Sequence, residues 1–344
     1  FNAVRFWLER GVDGFRIDVA HYIMKDPHFR DNPPNPEPVS WAIHHPPSAY
    51  DSQLHLYDKG HADTHLVYRE FRKVLDEYSQ ERPRMSVGEI HIFDWPDWAT
   101  YYGESLDELH MPFNFALIGT PWEAERVRAV VDGLEAAIPD RAWPNYVLGN
   151  HDEKRLASRV GLEQARVGAM LLLTLRGTPT LYYGDELGME NVSIPREMEK
   201  DPYGIRVPGM GRDGARTPMQ WNAEPGAGFS AAPPDAFWLP LSLNYEQVNV
   251  AVELEQPDSF LNLYRRLLET RRSSPSLQYG DYTPIDDVPQ GIYAYLRRAE
   301  GHPAYLVVLN FTDQPQRLKL DQYRGRPVLS TCPDSAAGEL PDIT

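Results

Sequence analysis

Three carboxylates, each at the end of a short apolar run, are the residues of this 344-residue chain best suited to chemistry. In "GFRIDVA" (14–20) the side-chain period of a strand puts Arg16 and Asp18 on one side and Phe15, Ile17 and Val19 on the other, where covering helices would meet them. An arginine beside an otherwise buried aspartate lowers its pKa and keeps it an anion; a structural ion pair closing a strand end would use the same two residues. In "MSVGEI" (85–90), Glu89 has no cation beside it in sequence and sits among Val87 and Ile90, which favours the protonated acid. In "NYVLGNHD" (145–152), the terminal pair His151 and Asp152 could hold sugar hydroxyls or cap a helix. One permanently anionic carboxylate and one proton-bearing carboxylate are what glycoside hydrolysis requires, with Asp18 suited to attack and Glu89 to proton donation. A metal site is the rival use of such a cluster, but one histidine and three carboxylates without close ligand spacing argue against it.

The elements that must position these residues alternate. An amphipathic helix over about 1–10, with Phe1, Val4, Phe6, Trp7 and Leu8 as its apolar residues, precedes an apolar run over about 13–20. A proline-rich excursion follows, and residues 27–62 read as one long functional loop rather than a linker. Beyond it, "ADTHLVYREFRKVLDEYSQ" has helical spacing in Leu66, Phe71 and Leu75. Strand-like and helix-like segments then alternate as far as "GTPTLYYGDELG", giving five strands in about 185 residues, with "AMLLLTL" (169–175) as part of a buried helix. Such a pattern predicts a parallel sheet covered by helices, doubly wound or closed as a barrel, and in both the strands' C-terminal ends carry the active site. After one more amphipathic helix, "DSFLNLYRRLLETRRSSPSL", the chain turns from about Gln278 into short alternating strands, "GIYAYLRR" and "AYLVVLNF", that predict a separate small β domain.

Bulk properties exclude several classes. A net charge of −16 repels phosphate backbones, so nucleic acid is not an expected partner. No apolar run is long enough to span a bilayer, and no membrane partner is expected. The one cysteine, Cys332, reads as a buried thiol outside any disulfide. The first residues begin inside a helix pattern without a methionine, so the chain reads as truncated at its start, with a cytoplasmic location as the expectation.

With "GFRIDVA", "VGEI" and "LGNHD" in that order, followed by "GTPTLYYGDELGM" and "GRDGARTPMQW", the sequence resembles glycoside hydrolase family 13, the α-amylase superfamily, and within it the bacterial α-glucosidase and oligo-1,6-glucosidase group. The resemblance implies an α/β TIM (β/α)8 barrel followed by a small C-terminal all-β sandwich, and a double displacement that retains the α configuration. Residues 1–272 would supply the C-terminal part of the barrel, strands 4 to 8 only, and 273–344 the β-sandwich domain. Carried over, Asp18 is the nucleophile, Glu89 the acid/base, and Asp152 the third catalytic carboxylate, binding the 2- and 3-hydroxyls with His151 beside it. Arg16 holds the nucleophile, and Arg216 rather than Arg212 reaches the innermost glucose.

The family's first motif and its first three barrel strands are absent, so five strands would leave sheet edges open. The missing N-terminal part of the same enzyme is therefore an expected partner. No cofactor or metal is expected in this chain, and any calcium or magnesium site would lie in that missing part. The long loop implies short substrates such as maltose or isomaltose, and Val19 resembles the residue of α-1,6-acting relatives. The expected activity is that of an exo-acting α-glucosidase with transglucosylation as a side reaction. Its alternatives are a sucrose isomerase or trehalose synthase of the same family, and a catalytically silent scaffold subunit.

Overall fold

A computed structural model describes residues 1–40, 46–319 and 323–332. The chain divides into two compact units, one of residues 1–121 with 126–147, the other of 122–125 with the described residues from 148 on. Five short strands and their intervening helices occupy the first 180 residues, as the alternation predicts.

In the first unit, β1 (Gly14–Ile17), β2 (Met85–Glu89) and β3 (Met111–Phe113) form a parallel sheet in that order. The helix Asp63–Glu77 buries Thr64, Tyr68, Phe71, Val74 and Leu75, a stripe at the three-to-four-residue spacing of a core-facing helix. Phe15 of β1 meets Phe71 edge-on with ring centroids 6.0 Å apart. Leu66, expected on that stripe, is exposed because it lies two residues from both Thr64 and Tyr68, on the opposite side of the turn. In the helix Asn2–Leu8 only Leu8 is buried, whereas Phe1, Phe6 and Trp7 are exposed. The helix Trp95–Ala99 starts at Asp94, whose carboxylate accepts the Asp97 N–H at 3.0 Å, an N-cap that satisfies one of the orphan donors of a first turn. β4 (Asn145–Val147) completes the unit, with Val147 packed against Phe113, Phe115 and Ile118.

The loop 27–62 contains no helix or strand among its described residues, apart from one bridge between Pro34 and Gln53; residues 41–45 lie outside the described residues. Side chains order it locally. Asp26 accepts from the Arg30 guanidinium and from the backbone N–H groups of His28 and Arg30, which holds its carboxyl well below the usual carboxylate range. Asn32 accepts the Tyr57 N–H at 3.0 Å, and Arg30 lies over the Tyr57 ring.

In the second unit the helix Leu162–Thr174 is buried at Ala169, Leu171, Leu172, Leu173 and Thr174 as expected, with Met170 partly buried. Ala169 and Leu173 pack against Leu263, Tyr264 and Leu267 of the helix Phe260–Ser273. The buried Arg271 donates to the carbonyls of Leu173, Leu175 and Gly177, closing the end of the first helix, where backbone acceptors would otherwise be orphaned. β5 (Thr178–Thr180) follows. Near the C-terminus β6 (Asp281–Pro284), β7 (Ile292–Arg298) and β8 (Tyr305–Asn310) make an antiparallel sheet. Among the described residues this is a single three-stranded sheet; residues 320–322 and 333–344, included in the expected sandwich, lie outside them. Cys332 is exposed rather than buried. No helix among the described residues is long and apolar enough to cross a membrane.

Candidate active site

β1 is shorter than its apolar run because Val19 adopts φ 37°, ψ 48°, the left-handed region. That conformation costs a β-branched residue roughly 1–2 kcal/mol and cannot continue a strand. The chain turns at once into a single 3-10 turn, Ala20–Tyr22. Two corrections follow: Asp18 stands just past the C-terminal end of β1, and Val19 leaves the apolar face to become exposed. The parallel register pairs Ile17 with Gly88, so Asp18 and Glu89 are the next residues on neighbouring strands. Gly88 leaves room for Leu109 and for Ala20 of the turn after β1, since a Cβ there would come 2.4 Å from Leu109 Cδ1 and 3.3 Å from Ala20 Cβ.

One guanidinium joins the two carboxylates. Arg16 contacts Asp18 Oδ1 through one terminal nitrogen and Glu89 Oε2 through the other. Sequence neighbours alone left Glu89 without a cation; the sheet supplies one from the adjacent strand. The two acids differ in surroundings: the Asp18 side chain is 74% exposed and that of Glu89 is 7% exposed. The second Glu89 oxygen, Oε1, lies 2.9 Å from His91 Nε2. Behind it the buried His21 stacks on His91, ring centroids 5.7 Å apart at 16°. His21 Nδ1 lies 3.1 Å from the Glu89 carbonyl oxygen and 3.3 Å from the His91 N–H, so it engages the Glu89–His91 backbone in either tautomer. Burial pushes the His21 imidazole down to about 3, leaving it neutral at ordinary pH.

Beside this group opens a cleft of about 410 Å³ lined by Val19, His21, Tyr22, Tyr50, Lys59 and His91, among others. The Tyr22 and Tyr50 hydroxyls touch, tying the turn after Asp18 to the long loop. Tyr50 in turn stacks on His55 at 3.7 Å. Such a wall of aromatic rings with a few polar groups suits a sugar-sized ligand.

The second unit carries another constellation. Asn150 Oδ1 accepts the N–H groups of Asp152 and Glu153, both at 2.9 Å, so Asn150 makes the turn that presents His151 and Asp152. Asp152 caps no helix; the next one, Leu156–Val160, begins at Arg155. Instead Asp152 Oδ1 accepts from Arg212 at 2.7 Å and from Arg216 at 3.0 Å, and His151 Nε2 lies 3.3 Å from Oδ2. Arg216 also donates to the His151 carbonyl at 2.8 Å. Arg212 is itself gripped by the buried Asp201, whose two oxygens each accept a guanidinium N–H at 2.8 Å, a bidentate pair that drives the Asp201 carboxyl below its ordinary range. Arg212 and Arg216 therefore share the Asp152 oxygen.

Of the expected residues, Arg16, Asp18, Val19 and Glu89 gather in the first unit, and His151, Asp152 and Arg216 in the second. Sequence reasoning missed His21, His91 and Asp201. His91 stands two residues beyond Glu89, but nothing in the spacing reveals that the strand's exit turns its ring back on the carboxylate. Among the described residues no group of three or more His, Cys, Asp or Glu side chains is arranged to hold a metal ion.

Comparison with known proteins bears on this geometry. The family model "Alpha amylase, catalytic domain" matches residues 1–280. An α-glucosidase of Apis mellifera is 33% identical over 334 residues, covering 95% of this chain and 56% of that protein. An oligo-1,6-glucosidase of Parageobacillus thermoglucosidasius is 30% identical, covering 94% and 61%. Among solved structures, an α-glucosyl transfer enzyme, XgtA, superposes with a TM-score of 0.84 at 33% identity, over 93% of this chain and 59% of that one. The isomaltulose synthase SmuA of Protaminobacter rubrum gives 0.75 at 29% identity, over 93% and 60%. The chain thus spans a little over half the length of these relatives, and its fold is of the α-amylase TIM-barrel type with a C-terminal antiparallel sheet.

Proposed function

The chain belongs to the α-amylase family of glycoside hydrolases, and from that premise we propose that it is the C-terminal part of a retaining, exo-acting α-glucosidase. In this reading, residues 1–272 supply strands four to eight of the barrel and 273–344 a β-sandwich domain, and an N-terminal part of the same enzyme completes the barrel. The length of chain that the relatives carry beyond this match supports it.

The observation that carries the reading is the single guanidinium contacting both Asp18 and Glu89. A fork of that size keeps two carboxyl groups near each other, as suits a retaining pair roughly 5 Å apart better than an inverting pair roughly 6.5–9.5 Å apart. Asp18, exposed and charge-paired, attacks the anomeric carbon of a terminal α-glucosyl unit, while Glu89 gives its proton to the departing glycosidic oxygen. In the second half, Glu89 takes a proton from water as that water displaces Asp18 from the sugar. Arg16 sets the distance between the two acids. Asp152, its charge compensated by two arginines, holds the glucose 2- and 3-hydroxyls together with His151 and Arg216; Arg212 aligns the carboxylate. Val19 and the cleft beside it take the leaving sugar.

Maltose- and isomaltose-sized substrates fit this reading, with no metal or cofactor acting in these steps. A cytoplasmic setting is part of the proposal. A second reading, glucosyl transfer to a sugar or isomerisation of a disaccharide, is favoured by the likeness to the α-glucosyl transfer enzyme and the isomaltulose synthase. Turnover of p-nitrophenyl α-glucoside by the full-length protein, compared with its Asp18→Ala and Glu89→Gln variants, tests the first reading. Near wild-type turnover in either variant overturns it. Product analysis from maltose, isomaltose and sucrose separates the two readings: free glucose marks hydrolysis, a rearranged disaccharide marks transfer.

A further inference from the structure

We propose that His91 is a positioning residue for the acid/base: its Nε2 holds Glu89 Oε1 and fixes the plane in which the carboxyl meets the glycosidic oxygen. The inference rests on the reading of Glu89 as proton donor. Three observations carry it. Both Glu89 oxygens are engaged, Oε2 by Arg16 and Oε1 by His91 at 2.9 Å, so the carboxyl's rotation is set from two sides by groups on different segments. The His91 ring is held by two neighbours, stacked on His21 and in a T-shaped contact with Phe115 with ring centroids 4.9 Å apart. Its backbone N–H lies 3.3 Å from His21 Nδ1, which anchors the main chain as well as the ring. A side chain so restrained in a packed surface residue would be ordinary; here it borders the cleft that also contains Val19, one residue from the nucleophile.

His21 completes the device without entering the chemistry. It is buried, and burial keeps its imidazole neutral, so it backs the His91 ring without adding a positive charge beside Glu89. The charged and titratable groups that meet Glu89 directly are therefore Arg16 and His91 among the contacts described. Arg16 is shared with Asp18 and adjusts the distance between the acids, whereas His91 holds the other Glu89 oxygen and adjusts the direction of that carboxyl.

A residue that acts through the proton donor has a signature that a purely structural residue lacks: its loss matters in proportion to how much the leaving group needs the proton. The experiment measures kcat/KM of the full-length protein for maltose or methyl α-glucoside, poor leaving groups, and for α-glucosyl fluoride, which departs with little protonation. His91→Phe keeps a ring for stacking but removes Nε2. It is expected to lower kcat/KM for the poor leaving groups about 10- to 100-fold, the scale of one hydrogen bond to a charged group, and to change the fluoride reaction by less than about threefold. His91→Gln, which restores a polar group near Oε1, recovers most of the loss, and His91→Leu, which offers Oε1 no polar group, serves if the phenylalanine variant does not fold.

Glu89→Gln run beside them shows the same selectivity with a larger amplitude if Glu89 is the acid. Equal losses on both substrate types, or none, in His91→Phe or His91→Leu while Glu89→Gln remains selective would overturn the positioning role alone. Glu89→Gln without selectivity would overturn the acid/base reading on which it stands.

Discussion

The two constellations treat charge in opposite ways. In the first unit one arginine serves two carboxylates, leaving Asp18 largely exposed and Glu89 enclosed. In the second, two arginines and a histidine converge on the single carboxylate Asp152, and a further buried carboxylate, Asp201, fixes one of those arginines. Two carboxylates that share one guanidinium can exchange its bonding between them during a reaction. A carboxylate gripped by several donors is held in one place, which suits binding and orientation. The contrast divides labour between reacting groups and a holding group, and each of its parts can be broken separately.

The largest effect is expected in the first unit. Asp18→Ala removes the attacking oxygen, and kcat for p-nitrophenyl α-glucoside should fall by about 10⁴-fold or more. Glu89→Gln should follow, with about a 10²–10⁴-fold loss on substrates with poor leaving groups. Addition of azide, a small nucleophile that does not need a general base, should speed turnover of the glucosyl-enzyme and yield a glucosyl azide.

The compensated site sharpens the comparison rather than abolishing activity. Asp201→Asn frees Arg212 without touching Asp152, and KM for short α-glucosides should rise about tenfold while the product anomer is unchanged, as followed by proton NMR. An equal loss of kcat with KM unaltered would place Arg212 in the reacting group and blur the division.

The last effect concerns stability rather than turnover. Burial pushes the Asp185 carboxyl up from 3.8 to about 7, so the folded chain holds this proton more tightly than the unfolded one. The stability so gained is complete below pH 3.8 and is lost as pH rises through about 7, on the order of 4 kcal/mol in all. Asp185→Asn should flatten that part of the stability-versus-pH curve, measured by denaturant unfolding between pH 4 and 8.

Much of this was legible in the residues. The alternation of "GFRIDVA", "MSVGEI" and "LHMPFNF" (109–115) with amphipathic segments predicts the parallel strands that form, each shorter than its run, because a period-two apolar run and a helical stripe have few other ways to be buried. Asp18, Glu89 and Asp152 stand out because charge at an apolar run's end calls for a reason. What sequence could not supply is contact across elements. The Arg16–Glu89 ion pair joins residues 73 apart, and the Arg212–Asp152 pair joins residues 60 apart; both depend on register and loop path. Val19 escaped the strand pattern for a local reason of the same kind, a left-handed backbone that an apolar β-branched side chain does not announce. Leu66 fitted a helical stripe by type but lost its place to Thr64 and Tyr68, whose contacts decide which face is inward.

The division of labour is tested most directly by trapping the covalent intermediate. The full-length protein incubated with a 5-fluoro-α-glucosyl fluoride, which slows breakdown of the glucosyl-enzyme, is digested and its peptides are weighed by mass spectrometry. The account predicts one added fluoroglucosyl group, on the peptide containing Asp18 and on that carboxylate. A label on Asp152 or Glu89, or complete turnover with inversion and no labelled peptide, would contradict it.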